Sequence, residues 1–183
     1  IQMKFLRAIL IAAGCLAALL NSAGAVENFD AGWRFLKGAA PDAEAPKFND
    51  ADWRNLDVPH DWSIAGPFAE TNKTGGAGAF LPSGIGWYRK HFMLPKEDEA
   101  RIVRIEFDGV MANSDVYING VHLGHHPYGY VSFRYDLTTN VQFGTADNVI
   151  AVETNTTTQP AERFFAGAGI YRHVRRIATN PVH

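Results

Sequence analysis

Three neighbouring histidines are the first candidates for chemistry in this sequence. His122, His125 and His126 lie close together, and imidazole is a common zinc ligand. A zinc site needs three or four ligands whose orientation is fixed by surrounding groups. The segment contains no cysteine, and no second cluster of His or Asp has ligand-like spacing. We therefore interpret these residues as loop histidines beside a hairpin and expect neither a metal nor another cofactor.

Acidic side chains could act in catalysis where two carboxyl groups face each other. The acidic run at 97–99 follows Pro95 and is typical of a solvated turn. Glu106 and Asp108 alternate with apolar residues of a predicted strand, so they point away from its apolar face. Neither pattern indicates a catalytic pair.

Motifs for phosphate binding and for a nucleophilic serine are absent from the sequence. The glycine-rich segment 75–78 lacks the Gly-Lys-Ser/Thr ending of a phosphate-binding loop, and no Gly-x-Ser-x-Gly occurs. The formal net charge is −2, and there is no run of Lys and Arg. We therefore expect neither nucleic acid nor an anionic membrane surface as a partner.

The first 25 residues differ from the rest and predict a secretory signal peptide. Lys4 and Arg7 form a basic start, residues 9–20 are apolar, and residues 23–25 (Ala-Gly-Ala) fit a cleavage site. The apolar run is shorter than the roughly 20 residues that span a bilayer. A buried N-terminal helix is the alternative interpretation. We expect an exported protein, periplasmic or secreted, whose single domain is residues 26–183.

Cys15 is the only cysteine and lies inside this apolar run. Its surroundings weakly match a lipoprotein processing site, but the apolar run continues past it to Leu20. This continuation favours cleavage after Ala25. The mature domain would then contain no disulfide and would be stabilised by its core alone.

The rest of the chain has the pattern of an all-β sandwich. Short runs of alternating apolar and polar residues are separated by Gly, Pro, Asn and Asp, without repeats or long helical periodicity. The alternation and the aromatic content of 12% predict half-buried strands. Asn119-Gly120 predicts a tight hairpin, because both central residues of a type I′ turn need positive φ. Strands are predicted at 29–35, 87–94, 101–107, 115–118, 128–135, 148–153 and 170–177.

Two long loops, at 59–86 and 154–169, separate some of these strands. Loops of this length usually carry function on a rigid β framework. Four strings that include parts of these loops occur in order: VPHDW at 58–62, GIGWYRKHF at 84–92, FDGVMANSDVYINGVHLGHHPYGY at 107–130 and QPAERFFAGAGIYRHV at 159–174.

Together these strings resemble the N-terminal sugar-binding domain of glycoside hydrolase family 2. The resemblance covers residues 26–183 and is strongest to the bacterial β-galactosidase branch. The segment NKTGGAGAF at 72–80 favours that branch over the glucuronidase and mannosidase branches.

The resemblance implies a jelly-roll-like, galactose-binding-like sandwich. In the family it is followed by an immunoglobulin-like domain and a (β/α)8 barrel that carries both catalytic glutamates. No glutamate of this sequence matches either position, so we expect the fragment alone to be inactive. We expect the N-terminal domain of a retaining exo-acting β-galactosidase, with the downstream domains absent. Its expected partners are a β-galactoside and its own catalytic domain, and a homo-oligomer is left open.

Two residues are expected to contribute to sugar binding. The resemblance implies that Asp61 reaches toward the barrel and binds the non-reducing sugar, whereas an Asx-turn or a helix cap is the alternative. Arg163 lies where some relatives have an acidic residue near the active site. It could bind a hydroxyl, pair with a barrel carboxylate, or form an interdomain salt bridge. Phe164, Phe165, Trp62 and Trp87 are interpreted as packing residues rather than sugar platforms.

Two rival functions belong to other classes. A freestanding carbohydrate-binding module predicts an exposed aromatic platform. A structural or adhesion sandwich predicts no sugar role and leaves the Asp61 and Arg163 loops without a purpose.

Overall fold

In the computed structural model, which describes residues 24–158 and 166–181, the chain forms two antiparallel sheets. Two 3₁₀ turns, Gly76–Gly78 and Lys96–Asp98, accompany them, and no helix in these ranges could cross a membrane. The predicted signal peptide, except for Gly24 and Ala25, and Cys15 lie outside the described residues. The strands of these ranges are β1 (Ala25–Asn28), β2 (Trp33–Lys37), β3 (Arg54–Leu56), β4 (Ile85–Phe92), β5 (Ile102–Phe107), β6 (Ser114–Ile118), β7 (Val121–His126), β8 (Phe133–Asp136), β9 (Asn148–Asn155) and β10 (Val174–Thr179).

The smaller sheet has the order β1-β10-β5-β8, and the larger has the order β3-β2-β4-β9-β6-β7. The predicted all-β sandwich is confirmed. Three predicted strands, at 29–35, 128–135 and 170–177, begin four or five residues later than expected. Their first residues lie in loops, where loop-to-loop bonds replace strand pairing, as between the His60 N–H and the Ile170 carbonyl. The short strands β1 and β3 were not predicted because they are short and lack a clear alternation.

The main core lies between the sheets. On β5, Val103, Ile105 and Phe107 are buried as the alternation predicts. Strands β4 and β9 are buried on both faces, because the segment 40–53 covers the outer face of the larger sheet. A second set of buried residues, which we call the outer cluster, lies under this segment and consists of Ala40, Ala43, Trp53, Trp87 and Ala151. Trp62 packs in the main core and Trp87 in the outer cluster, so their interpretation as packing residues is confirmed.

The turn between β6 and β7 is the predicted hairpin. Asn119 has φ 50° and Gly120 has φ 84°, so both central residues occupy the left-handed region. The Asn119 side chain also donates to the Asn140 carbonyl at 2.8 Å, which ties the turn to a neighbouring loop.

The prediction of a solvated acidic turn at 97–99 is wrong for Asp98. This side chain is buried and forms ion pairs with Arg101 and Arg176. The 3₁₀ turn folds Asp98 inward, where β10 supplies Arg176 from a distant part of the sequence. Asp108 binds Arg175 on β10 with both carboxylate oxygens, so it forms a structural ion pair.

Four loops gather at one end of the sandwich, which we call the loop end. Ile85 pairs with Asn155, Ser114 pairs with His126, and Phe107 pairs with both Val174 and Phe133. These pairings bring together the loops 59–84, 108–113 and 127–132 and the described parts, 156–158 and 166–173, of the connection between β9 and β10. The longer of the two predicted loops, at 59–86, therefore lies beside the three segments that connect one sheet to the other.

Candidate functional site

Two loop segments hold Asp61 at the loop end. The segment 58–62 runs beside the segment 168–170, with bonds from the His60 N–H to the Ile170 carbonyl (2.7 Å) and from the Trp62 N–H to the Ala168 carbonyl (3.0 Å). Asp61 lies between these two bonds, and its backbone is therefore fixed on both sides.

The Asp61 carboxylate bridges the two segments. Its Oδ1 atom accepts the Ser63 N–H at 2.9 Å and the Ala168 N–H at 3.0 Å. The bond from Ser63 has the spacing of an Asx-turn, so this local arrangement is present as the alternative interpretation expected. The bond from Ala168 joins residues far apart in sequence. Oδ2 faces Gly167, where a side-chain carbon in place of the glycine hydrogen would stand only 2.9 Å away.

The charge of Asp61 has no cationic partner among residues 24–158 and 166–181. Burial raises the pKa of its carboxyl, and backbone hydrogen bonds from Ala168, Ser63 and Ile64 partly oppose that rise. Asp50 differs: burial favours a higher pKa there too, but hydrogen bonds from Arg89, His91 and Arg34 outweigh it and lower the pKa. A half-buried carboxylate without a cation is costly, and such a group is a candidate for ligand binding.

A buried tyrosine supports the same segments from below. The Tyr88 hydroxyl lies 2.8 Å from His60 Nδ1, and the Ile170 backbone also bonds to it. Burial raises the pKa of Tyr88, so the phenol is neutral. Burial and the nearby Arg54 lower the pKa of His60, which favours a neutral imidazole.

A polar cleft of about 210 Å³ lies beside the Asp61 segment. The Ser63 hydroxyl donates to the Pro82 carbonyl at 2.5 Å, and this bond joins the Asp61 turn to one wall of the cleft. On the other side, the Gly84 N–H donates to Thr156 Oγ1 at 3.0 Å. Hydroxyl, amide and ammonium groups line the cleft, from Thr71, Asn72, Lys73, Ser83 and Thr157.

Exposed apolar side chains concentrate around this site. The described ranges contain nine large apolar side chains that are exposed, and six of them lie at the loop end. Tyr130 and Val131 also line a second cleft, of about 420 Å³, with Asp108, Ser132 and Arg172. Exposed apolar side chains gathered at one end of a domain are typical of an interaction surface. The six side chains are Ile64, Phe68, Phe80, Tyr128, Tyr130 and Val131.

Two histidines of the predicted cluster contact a carboxylate on the neighbouring strand β6. His122 Nε2 and His125 Nδ1 contact the two oxygens of Asp115 at 2.8 and 3.0 Å. His126 stacks on Phe133, with ring centroids 4.1 Å apart. Within the described ranges, no group of three or more His, Cys, Asp or Glu side chains is arranged to hold a metal ion.

Of the two predicted sugar-binding residues, the structure places Asp61 but not Arg163. Arg163, Phe164 and Phe165 lie outside the described residues. Sequence reasoning missed the supporting role of Tyr88, which had only the pattern of a strand residue. It also missed Gly167 and Gly169, whose φ values of 85° and 114° suit glycine. The Gly-Ala-Gly sequence was the available signal for a tight backbone approach.

Comparison with known proteins identifies the domain. The family model described as glycosyl hydrolases family 2, sugar binding domain, matches residues 26–181. A β-galactosidase of Bacteroides ovatus, BoGH2A, is 48% identical over 169 residues, which cover 92% of this chain and 20% of that protein. A β-glucuronidase of Formosa agariphila is 40% identical over 129 residues, covering 70% of this chain and 13% of the relative.

A solved structure shows the same fold. A glycosyl hydrolase family 2 member from Bacteroides cellulosilyticus superposes with a TM-score of 0.82 at 38% identity, covering 85% of this chain and 21% of that chain. The chain thus spans about a fifth or less of the length of these relatives. The family model, the sequence identity and the shared fold agree, and the chain belongs to the family of glycosyl hydrolase family 2 sugar-binding domains.

Proposed function

We propose that this chain is the non-catalytic N-terminal domain of an exported, retaining exo-β-glycosidase with β-galactosidase activity. In this proposal the loop end packs against a downstream catalytic domain. Asp61 then forms part of the wall of the pocket for the non-reducing sugar and accepts hydrogen bonds from its hydroxyls.

The Asp61 carboxylate carries the proposal. The three fully buried carboxylates of the described ranges have cationic or imidazole partners: Asp50 pairs with Arg89, Asp98 with Arg176 and Asp30 with His173. Asp61 is held by backbone N–H groups instead. A carboxylate fixed in this way keeps acceptor capacity for a ligand, and bonds to a charged acceptor are stronger than neutral ones.

The exposed apolar surface supports packing against another domain. Ile64 and Phe68 are 60% and 70% exposed, and both follow Asp61 closely in the chain. Covering such side chains stabilises an interface by about 25 cal/mol per Å² of apolar area. The chain spans only about a fifth of BoGH2A. In this proposal the complete protein is therefore much longer and contains a further domain that covers these side chains.

The choice of sugar rests on the relatives. The β-galactosidase of Bacteroides ovatus is 48% identical to this chain, against 40% for the β-glucuronidase of Formosa agariphila. Export rests on the basic start at Lys4 and Arg7 followed by the apolar segment 9–20. Subcellular fractionation and N-terminal sequencing of the product test it, and a cytoplasmic product that retains residues 1–25 would contradict it.

A freestanding carbohydrate-binding module is the second candidate. Tyr128 and Tyr130 are both exposed, with ring centroids 5.5 Å apart at 64°, and they provide the aromatic surface that such a module requires. This candidate predicts sugar binding that depends on these tyrosines and not on Asp61.

The decisive experiment is Asp61→Asn in the complete enzyme that contains this chain. Asparagine retains an oxygen for the Ser63 and Ala168 N–H groups but removes the charge. Loss of hydrogen bonds to a charged acceptor costs about 1.5–3 kcal/mol. That cost corresponds to a fall in kcat/KM of roughly 10- to 150-fold, measured with an aryl β-D-galactoside.

Asp136→Asn is the matched control. Asp136 also accepts a backbone N–H two residues along, from Thr138 at 2.9 Å, but it ends β8 away from the loop end. Its kcat/KM should stay within about twofold of the parent enzyme. Equal effects of the two substitutions would refute the sugar-binding role of Asp61. A higher kcat/KM on the aryl β-D-glucuronide than on the galactoside would refute the proposed sugar specificity.

A further inference from the structure

The Tyr88 hydroxyl lies where the two segments that hold Asp61 meet. Tyr88 is fully buried on β4, and its hydroxyl bonds to His60 Nδ1 at 2.8 Å and to the backbone of Ile170. His60 precedes Asp61 directly, and Ile170 follows the segment whose Ala168 N–H binds the Asp61 carboxylate. One buried hydroxyl therefore contacts both sides of the Asp61 site.

The neighbouring groups satisfy this hydroxyl without any charge. The Ile170 N–H donates to the phenol oxygen, and the His60 carbonyl lies 3.4 Å from it as a possible acceptor of the phenol proton. Burial and Arg54 lower the pKa of His60, and the tautomer of the neutral imidazole decides whether Nδ1 accepts from the phenol or donates to it. The interaction therefore needs no ionised group and persists at neutral pH.

The backbone at Gly169 is fitted closely to the same hydroxyl. A side-chain carbon at Gly169 would lie 2.1 Å from the Tyr88 oxygen and 2.8 Å from the His60 carbonyl. Distances this short leave no space for a side chain at position 169. The absence of a side chain at Gly169 lets the segment 168–170 approach Tyr88 and brings the Ala168 N–H to Asp61.

We infer that Tyr88 is a positioning residue for sugar binding, whose hydroxyl fixes the location of the Asp61 carboxylate through His60 and the segment 168–170. This inference rests on the proposed role of Asp61 in the sugar pocket. Tyr88 itself touches no substrate, since it is fully buried beneath these segments. The hydroxyl affects sugar binding only through the position of the Asp61 carboxylate, and small displacements of a binding group have large kinetic effects.

Tyr88→Phe in the complete enzyme removes the hydroxyl and keeps the ring that packs against Phe35 and Trp33. The expected result is a fall in kcat/KM of about tenfold, with a smaller change in melting temperature than in activity. In an Asp61→Asn background, the same substitution should lower kcat/KM by less than about twofold, because the displaced carboxylate is already absent.

Tyr117→Phe is the matched control. Tyr117 is half-buried on β6 and stacks on Trp87 at 6.1 Å in the outer cluster, remote from the Asp61 segments. It should leave kcat/KM within about twofold of the parent in both backgrounds.

His60→Leu is a second variant, for use where Tyr88→Phe does not fold. It removes the imidazole partner of the Tyr88 hydroxyl and should show the same loss of kcat/KM and the same dependence on Asp61.

The outcomes separate the two proposals. If Asp61→Asn retains full activity, the proposed function fails. If Asp61→Asn is impaired but Tyr88→Phe and His60→Leu lower kcat/KM by equal factors with and without the carboxylate, the positioning role is overturned. If both variants act only when Asp61 is present, the positioning role is supported.

Discussion

Replacement of Asp50 by asparagine should destabilise the sandwich severely. Asp50 Oδ2 accepts a bond from Arg89 Nε at 2.7 Å, and the two side chains are 3% and 0% exposed. Arg89 lies on β4 directly after Tyr88, and it also donates to the carbonyls of Ala43 and Ala45. These bonds attach the segment 40–53 to the outer face of the larger sheet. The substitution leaves the guanidinium buried without its counter-charge.

The magnitude follows from that burial. Removal of one partner of a buried pair costs about 3–5 kcal/mol, which is a large share of the roughly 5–15 kcal/mol that stabilises a typical domain. The free energy of unfolding can be measured in denaturant from the fluorescence of the tryptophans. Asp147→Asn is the control, because Asp147 binds the same His91 but is 56% exposed. That exposed pair should contribute about 0–1 kcal/mol.

Acid provides a second test of the same ion pair. The folded-state pKa of Asp50 lies below its unfolded value of 3.8, because hydrogen bonds from Arg89, His91 and Arg34 outweigh the effect of burial. The contribution of the ionised group is therefore present above pH 3.8 and is lost as the pH falls through the folded-state pKa. The difference between wild type and Asp50→Asn should shrink in that range. A loss below about 1 kcal/mol at pH 7, equal to that of Asp147→Asn, would refute the argument.

Two further predictions concern the loop end. Gly169→Ala should destabilise the protein by about 2–5 kcal/mol, since it combines a φ of 114° with a contact 2.1 Å from the Tyr88 oxygen. Gly144→Ala, at φ 83° with open space around it, should cost only about 1–2 kcal/mol in the same denaturation assay, and equal losses would contradict the contact argument. Asp61→Asn should raise the melting temperature at pH 7. Burial raises the folded-state pKa of Asp61 above 3.8, so the protonated carboxyl stabilises the fold at low pH and this stabilisation is lost as the pH rises through the folded-state pKa. The gain should disappear below pH 3.8, and a lower melting temperature at pH 7 would show that the charge stabilises the fold.

Sequence reasoning worked best where a pattern is local. The alternation on β5 placed Val103, Ile105 and Phe107 in the core, and Asn119-Gly120 specified the hairpin through its need for positive φ. It was less accurate for β10, which begins at Val174 rather than Ile170. The backbone of Ile170 binds the segment 58–62, and no local pattern reveals such a partner.

The sequence by itself determined the fold class and the hairpin, because these depend on local periodicity and turn chemistry, and a family string singled out Asp61 as a candidate for sugar binding. Only the tertiary structure decided which charges are paired. Asp98 and Asp61 are both acidic residues next to turns, yet Arg176 approaches Asp98 from β10 while no cation of the described ranges approaches Asp61. Long-range strand pairing selects such neighbours, and burial then makes their charges stabilising or costly. For this reason the Tyr88–His60–Gly169 contact under Asp61 became visible only in the folded chain.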